Sequence, residues 1–270
     1  MPRSGTTRAK WGIRKDRSID AATAFYSWIA YRKANPLARL RLVCFPYAGT
    51  GTSIFRTWSE GLPVDVDVCP VEFPGRGTRI MEAPFARLAP LVQALAQGLA
   101  PLLDKPFAFF GHSLGALVAF ELARQLRRQS GIEPMHLFVS AARAPQTPAR
   151  DRPMHALPEA GLLDELGRLN GVPEKVLEDK DIMRIMLPIL RADLAVYETY
   201  LYSAEPPLAC PISGFGGLQD HRVNRPDLEA WREQTSASFS LKMFPGDHFY
   251  LNAARPLLLQ ALCRELRNGG

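Results

Sequence analysis

The stretch Phe107-Ala-Phe-Phe-Gly111-His-Ser113-Leu-Gly115-Ala-Leu-Val-Ala-Phe120 restricts the possible folds more than any other part of the chain. Phe107–Phe110 is a short apolar run of strand type, and Leu114–Arg128 has helical spacing. A G-x-S-x-G element joins them. That spacing of small residues arises by chance, but a strand that feeds a helix directly through it forces the serine into a sharp, strained turn. Gly111 and Gly115 have no side chains, so strand and helix can approach closely on either side. Ser113 Oγ then stands at a helix N-terminus, where peptide N–H groups and the helix dipole favour negative charge. The competing reading is a tight turn whose serine only caps the helix, and the strand–helix context weighs against it. Ser113 is the candidate nucleophile.

The rest of the chain supplies a setting for such a turn. Strand-type runs recur at Leu40–Phe45, Val66–Phe73, Met135–Ser140, Ile212–Phe215 and Phe239–Phe244. Helical spacing falls between and after them, at Phe55–Leu62, Leu88–Leu103, Pro226–Gln234 and Ala253–Leu266. Strands alternating with helices predict an α/β fold with right-handed crossovers and a mostly parallel central sheet flanked by helices. The 270 residues, 47% of them hydrophobic, suffice for one large α/β domain with a full core. One block breaks the alternation. Leu157–Tyr202 shows two or three helical stretches and no strand, as expected of a helical lid over the sheet's carboxyl edge. Pro188 within it predicts a kink or break. The expected division is a core of residues 28–156 and 203–270, a lid at 157–202, and a flexible N-terminal extension at 1–27.

Composition excludes several function classes. The formal net charge of +6 suits an acidic partner. Much of the excess lies in the first 41 residues rather than on one helix face, so nucleic acid is not the expected partner. No apolar run approaches the roughly 18 residues of a membrane span. The basic N-terminus is not followed by a signal-peptide core, so the cytoplasm is the expected location. Cys44, Cys69, Cys210 and Cys263 are scattered without metal-ligand spacing. Three lie in apolar runs and read as buried free thiols, so no metal is expected.

A serine hydroxyl needs a base. Of the five histidines, His248 directly follows the last strand, in Phe244-Pro-Gly-Asp-His-Phe-Tyr-Leu. This is where the chain order Ser, acid, His places the base. His112 packs inside the turn, His136 starts a strand, His155 sits near the lid, and His221 follows the wrong strand. The acid that orients the imidazole is expected at Asp220, after the strand Ile212–Phe215. Asp247 is its rival by proximity, although adjacent residues point apart, and residues 141–150 contain no acid. Acyl transfer also needs donors for the developing oxyanion. The expected donors are the N–H groups of Leu114 and Ala48, with Tyr47 as second choice in the Gly-rich loop Phe45–Gly51.

Together these blocks resemble one family. Leu42-Val-Cys-Phe-Pro-Tyr-Ala-Gly, Phe73-Pro-Gly-Arg-Gly, Phe110-Gly-His-Ser-Leu-Gly-Ala, Leu190-Arg-Ala-Asp-Leu-Ala-Val-Tyr-Glu-Thr-Tyr and Gly246-Asp-His-Phe-Tyr-Leu-Asn are similar to motifs of type II thioesterases. These are α/β-hydrolases that edit for polyketide synthases and nonribosomal peptide synthetases. The likeness runs from about Trp28 to Leu266. It implies hydrolysis of acyl thioesters held on the 4'-phosphopantetheine arm of acyl or peptidyl carrier proteins. It also implies no cofactor of the enzyme's own, and the expected state is a monomer. The nucleophile falls on Ser113, the acid on Asp220, the base on His248, and the oxyanion donors on Ala48 and Leu114. Thr50 stands where the family usually has a second glycine, Asp247 stands where glycine is common, and the leader is long. Tyr47 and the lid residues Met183, Ile185, Met186 and Leu190 are candidates for contacting substrate, with ordinary helix packing as the competing reading. Arg76, Arg79 and Arg143 are candidate entrance cations for an acidic carrier. A chain-releasing or cyclising thioesterase, an esterase or lipase acting on oxygen esters, and a non-catalytic binding protein stand as the other readings.

Overall fold

The computed structural model describes residues 28–268 except Lys33, Asp151 and Asn170; the expected extension at 1–27 lies outside the described residues. Six strands form one sheet: β1 (Leu40–Phe45), β2 (Val66–Pro70), β3 (Phe107–His112), β4 (Leu137–Ser140), β5 (Ile212–Gly217) and β6 (Phe239–Phe244). Their order is β2-β1-β3-β4-β5-β6, and every neighbouring pair is parallel. Parallel strands covered on both faces read as continuous apolar runs. Accordingly β1 to β5 are buried along their whole length, and only the edge strand β6 is half-exposed.

Alternate residues of each strand serve two cores. Val43, Phe45, Phe107, Phe109, Leu137 and Val139 face the helices α1 (Leu88–Gly98) and α2 (Leu114–Ser130). Leu42, Cys44, Ala108, Phe110 and Phe138 face Phe55, Trp58 and the C-terminal helices α7 (Tyr250–Ala253) and α8 (Arg255–Asn268). Between β4 and β5 come α3 (Glu159–Arg168), α4 (Glu174–Leu177) and α5 (Lys180–Glu198); α6 (Arg225–Glu229) follows β5. The insertion has its own apolar cluster, in which Leu162, Leu166, Met183, Leu187 and Leu190 meet. No helix among the described residues is long and apolar enough to cross a membrane.

The six strands fall where the sequence places them, but one helix and several boundaries differ. The Phe55–Leu62 helix is instead a pair of short 3-10 turns, Thr52–Phe55 and Trp58–Glu60. β2 ends at Pro70 rather than at Phe73. The backbone beyond it is taken by the chain's first described segment, where Ile29 bridges Val71 and Glu72 N–H donates to Trp28 O. α5 runs through Pro188 without a break.

The strand order fixes where a ligand can sit. From β1 the chain steps to β2 on one side, then crosses back so that β3 lies on the other side of β1. At such a reversal the loops leaving β1 and β3 diverge and leave a crevice outside their carboxyl ends. Two glycines hold that crevice tight. A β-carbon on Gly111 would lie 2.1 Å from Gly115 O, and one on Gly115 would lie 2.2 Å from Phe45 O. Both neighbours are backbone and cannot step aside. Gly115→Ala should therefore cost at least the roughly 1–3 kcal/mol of an overpacked core, read as a lowered urea midpoint, with Ser113 displaced.

Candidate active site

Ser113 ends the strand-to-helix turn with φ 53° and ψ −116°. This is left-handed backbone that a non-glycine residue enters only under strain. It is held there by its own N–H, which donates to Ser140 O at 2.7 Å, and by the glycines on either side. Its Oγ is 3.1 Å from His248 Nε2. His248 Nδ1 is 2.8 Å from Asp220 Oδ2. Three side chains separated by up to 135 positions thus meet in one line.

Each partner is fixed from behind. The Asp220 side chain is fully buried, and its other oxygen accepts the N–H groups of Arg222 at 2.8 Å and Val223 at 3.2 Å. Burial alone would raise this carboxyl. The His248 hydrogen bond and charge, with the two amides, outweigh burial and hold it below the ordinary carboxylate value. Asp247, the rival acid, turns away and accepts Phe249 N–H at 2.8 Å. His221 is exposed.

His112 does more than pack. Its Nε2 lies 2.9 Å from His248 O and its Nδ1 2.8 Å from Ser140 Oγ, which is 2.5 Å from Tyr250 Oη. A carbonyl only accepts, so His112 carries its proton on Nε2 and takes the Ser140 hydroxyl on Nδ1. Tyr250 then donates to Ser140. The relay is satisfied in one direction, and it requires a neutral His112. Burial, and then the neighbouring His248 charge, push the His112 pKa down to about 3. The sequence placed His112 beside the serine but carried no sign of this grip on the His248 backbone, because Ser140 and Tyr250 are far away in the chain.

A cavity, partly open to solvent, lies over Ser113. Tyr47, Ala48, Leu114, His248 and Phe249 line its floor, and Arg143, Met154 and Arg222 stand on its wall. The insertion adds Leu166 and Leu169 from the α3 side and Leu190, Leu194, Tyr197 and Glu198 from α5. Among the described residues, the N–H groups of Ala48 and Leu114 meet no protein acceptor. Thr50, which stands in place of a glycine, has no positive φ and so adds no strain.

Of the expected lining residues, Tyr47 and Leu190 are on the cavity. Met183 is instead buried in the insertion's own core, Met186 is off the wall, and Ile185 is exposed. All four are apolar candidates on one helical stretch, and of them only Leu190 reaches the cavity. Arg76 and Arg79 are not entrance cations. Arg76 is buried against Asp193, and Arg79 stacks over Trp28 at 4.1 Å and pairs with Glu82. Arg143 is on the wall, 5.5 Å over the Tyr197 ring.

The thioesterase-domain family model matches residues 40–268, nearly the whole described chain. The chain belongs to the thioesterase family. It is a thioester hydrolase with the α/β-hydrolase fold. This thioesterase is 46% identical over 240 residues to the gramicidin S biosynthesis protein GrsT of Aneurinibacillus migulanus, a match covering 89% of this chain and 94% of GrsT. Among solved structures it resembles the RedJ thioesterase from the prodiginine pathway of Streptomyces coelicolor, with TM-score 0.80 and 41% identity over 86% of this chain and 96% of RedJ. It also resembles BorB, the type II thioesterase of the borrelidin cluster, with TM-score 0.81 and 37% identity over 89% of this chain and 98% of BorB.

Two buried imidazoles make the thioesterase acid-sensitive. Burial pushes His136, which faces Ser213 Oγ at 2.8 Å, down to about 4. His112 is lower still. The unfolded chain protonates both near the ordinary histidine value of 6.5, so below that value it binds more protons than the folded chain. Their contribution is complete above about 6.5 and is lost as the pH falls toward the folded values. Acidification from about pH 7 to about pH 5 should lower stability by on the order of 2 kcal/mol per histidine. Urea midpoints across that range check this, and His136→Gln should remove about half of the slope.

Proposed function

We propose that this thioesterase removes acyl groups from the phosphopantetheine arm of acyl or peptidyl carrier proteins, as a stand-alone editing enzyme of type II. The observation that carries the reading is the line Asp220–His248–Ser113 on the floor of a mostly apolar cavity, with two unclaimed amide donors beside the nucleophile. The likeness to GrsT, RedJ and BorB supports the setting in polyketide and nonribosomal peptide assembly.

In the first half-reaction, Ser113 Oγ attacks the thioester carbonyl while His248 Nε2 takes its proton. Asp220 holds the imidazole with Nδ1–H toward itself and stabilises the cation that forms. The carbonyl oxygen becomes an oxyanion, received by the N–H groups of Ala48 and Leu114. Collapse breaks the C–S bond, and His248 returns the proton to the departing pantetheine sulfur. Water then attacks the acyl-enzyme ester, giving its proton to His248, and the free acid leaves with Ser113 restored. No cofactor enters these steps, since the arm belongs to the substrate.

Residues 157–202 act as the lid of this cavity, with Tyr47 and Leu190 among the surfaces that meet the acyl chain. Arg143 supplies a cation for an acidic carrier. The same reading has the protein work as a monomer in the cytoplasm, with neither nucleic acid nor a membrane as partner.

The test is a panel of carrier proteins bearing different acyl-phosphopantetheine groups, with release of free acid measured. Short or stalled acyl groups should be cleared faster than the finished chain. Ser113→Ala and His248→Ala should each lower kcat by roughly 10⁴–10⁶-fold, and Asp220→Asn by about 10⁴-fold. Cyclised product, or faster turnover of oxygen esters than of carrier thioesters, would overturn the editing reading. Retained turnover in Ser113→Ala would overturn the mechanism.

A further inference from the structure

Asp193 lies on α5, three residues beyond Leu190 and therefore on the same helix face. Its carboxylate is buried and shared. Oδ2 accepts Gly49 N–H at 2.8 Å and Arg76 Nη1 at 2.6 Å, and Oδ1 accepts Arg76 Nη2 at 2.7 Å. Arg76 Nη1 also donates to Thr50 O at 2.9 Å. One ion pair therefore ties together the helical insertion, the turn after β2 and the loop after β1.

Within that loop the pair takes hold of two backbone groups next to Ala48. Thr50 N–H donates to Tyr47 O at 3.3 Å and closes the turn Tyr47–Thr50. The Ala48–Gly49 peptide is planar, so an acceptor fixed on Gly49 N–H fixes ψ of Ala48. With the turn closed on the other side, the plane carrying Ala48 N–H is fixed as well. Gly49 has φ +76°, and a β-carbon there would lie 2.9 Å from Leu190 Cδ1. The loop thus rests directly on the Leu190 side chain of α5.

Simple retention of the insertion does not explain this arrangement. Both side chains are less than a tenth exposed, and Arg76 Nε finds no acceptor among the described residues. A buried ion pair gains little over packed apolar side chains of the same volume. What an apolar pair lacks is an acceptor for a peptide N–H. The geometry points to Asp193, held by Arg76, as a positioning residue that couples the seating of α5 to the aim of the Ala48 amide at the oxyanion. The inference rests on the reading of Ala48 N–H as an oxyanion donor. On this basis, hydrolysis is fast only while the insertion helix is seated.

The experiment measures the apolar pair Arg76→Met with Asp193→Leu, and the charge swap Arg76→Asp with Asp193→Arg, on a small acyl-N-acetylcysteamine thioester. Affinity for an alkyl boronic acid, which mimics the tetrahedral adduct on Ser113, is measured alongside. The apolar pair keeps the packing and removes the acceptor of Gly49 N–H, whereas asparagine at 193 would retain an amide oxygen there. The apolar pair should lower kcat by about 10- to 100-fold with KM near that of the parent. Boronate affinity should fall by a similar factor, as expected of a defect confined to the transition state. The swap should restore thermal stability relative to Asp193→Arg alone but not kcat, since Gly49 N–H still lacks its acceptor. If the swap does not fold, the apolar pair decides. Parental kcat and boronate affinity in the apolar pair, or recovery of kcat in the swap, would overturn the coupling. Ser113→Ala separates the two levels: turnover surviving there would overturn the reading of the site itself, whereas its loss beside an unaffected apolar pair would overturn the coupling alone.

Discussion

Gly115 lies so close to the end of β1 that a β-carbon there would come within 2.2 Å of the Phe45 carbonyl oxygen. This approach draws the N-terminus of α2 between the carboxyl ends of β1 and β3. It leaves Ser113 no relaxed conformation, because the strand must reverse into a helix within one residue, and the φ of 53° follows. It also brings the loop after β1 beside Ser113. Ser113, Ala48 and Leu114 share one cavity floor because two backbones touch where only glycine allows it. The strand reversal around β1 then decides which way the cavity opens.

On that frame, the site is held mainly through backbone groups. His248 is fixed twice, by Asp220 at its ring and by His112 at its carbonyl. Asp220 is itself fixed by two amides, and Ser113 by the Ser140 carbonyl. Because β4 supplies Ser140 to both the Ser113 N–H and the His112 relay, Ser113 and His248 share one rigid reference. Neutral His112 suits this role. A protonated ring would offer a second donor to a Ser140 hydroxyl that already receives the Tyr250 proton, and the relay would lose its single direction.

What the sequence revealed follows from range. Strand and helix types were legible because each depends on residues within a few positions. Ser113, Asp220 and His248 were legible because their order along alternating strands and helices implies convergence. The same reasoning could not find pairs set by tertiary packing. Arg76 and Arg79 look like surface cations in a Gly-rich turn, and nothing local names Asp193, 117 positions away, or Trp28 as their partners. Met183 and Leu190 share one helix, but the cavity meets only its later turns, from Leu190 to Glu198. Pro188 predicts a break in a free helix. In the packed insertion, Leu187 and Leu190 are both buried on either side of it, and that packing carries the helix through.

The insertion therefore cannot be treated as an interchangeable roof. Leu190 walls the cavity and touches Gly49, and Asp193, on the same face of α5, holds Gly49 N–H. A change that reshapes the cavity at Leu190 also shifts the surface against which the loop after β1 rests. Chamber size and the aim of the Ala48 amide are mechanically linked. Enlarging the chamber from the α3 side, at Leu166 or Leu169, leaves that contact intact. The linkage therefore leaves α3 freer than α5 to set the size of the cavity.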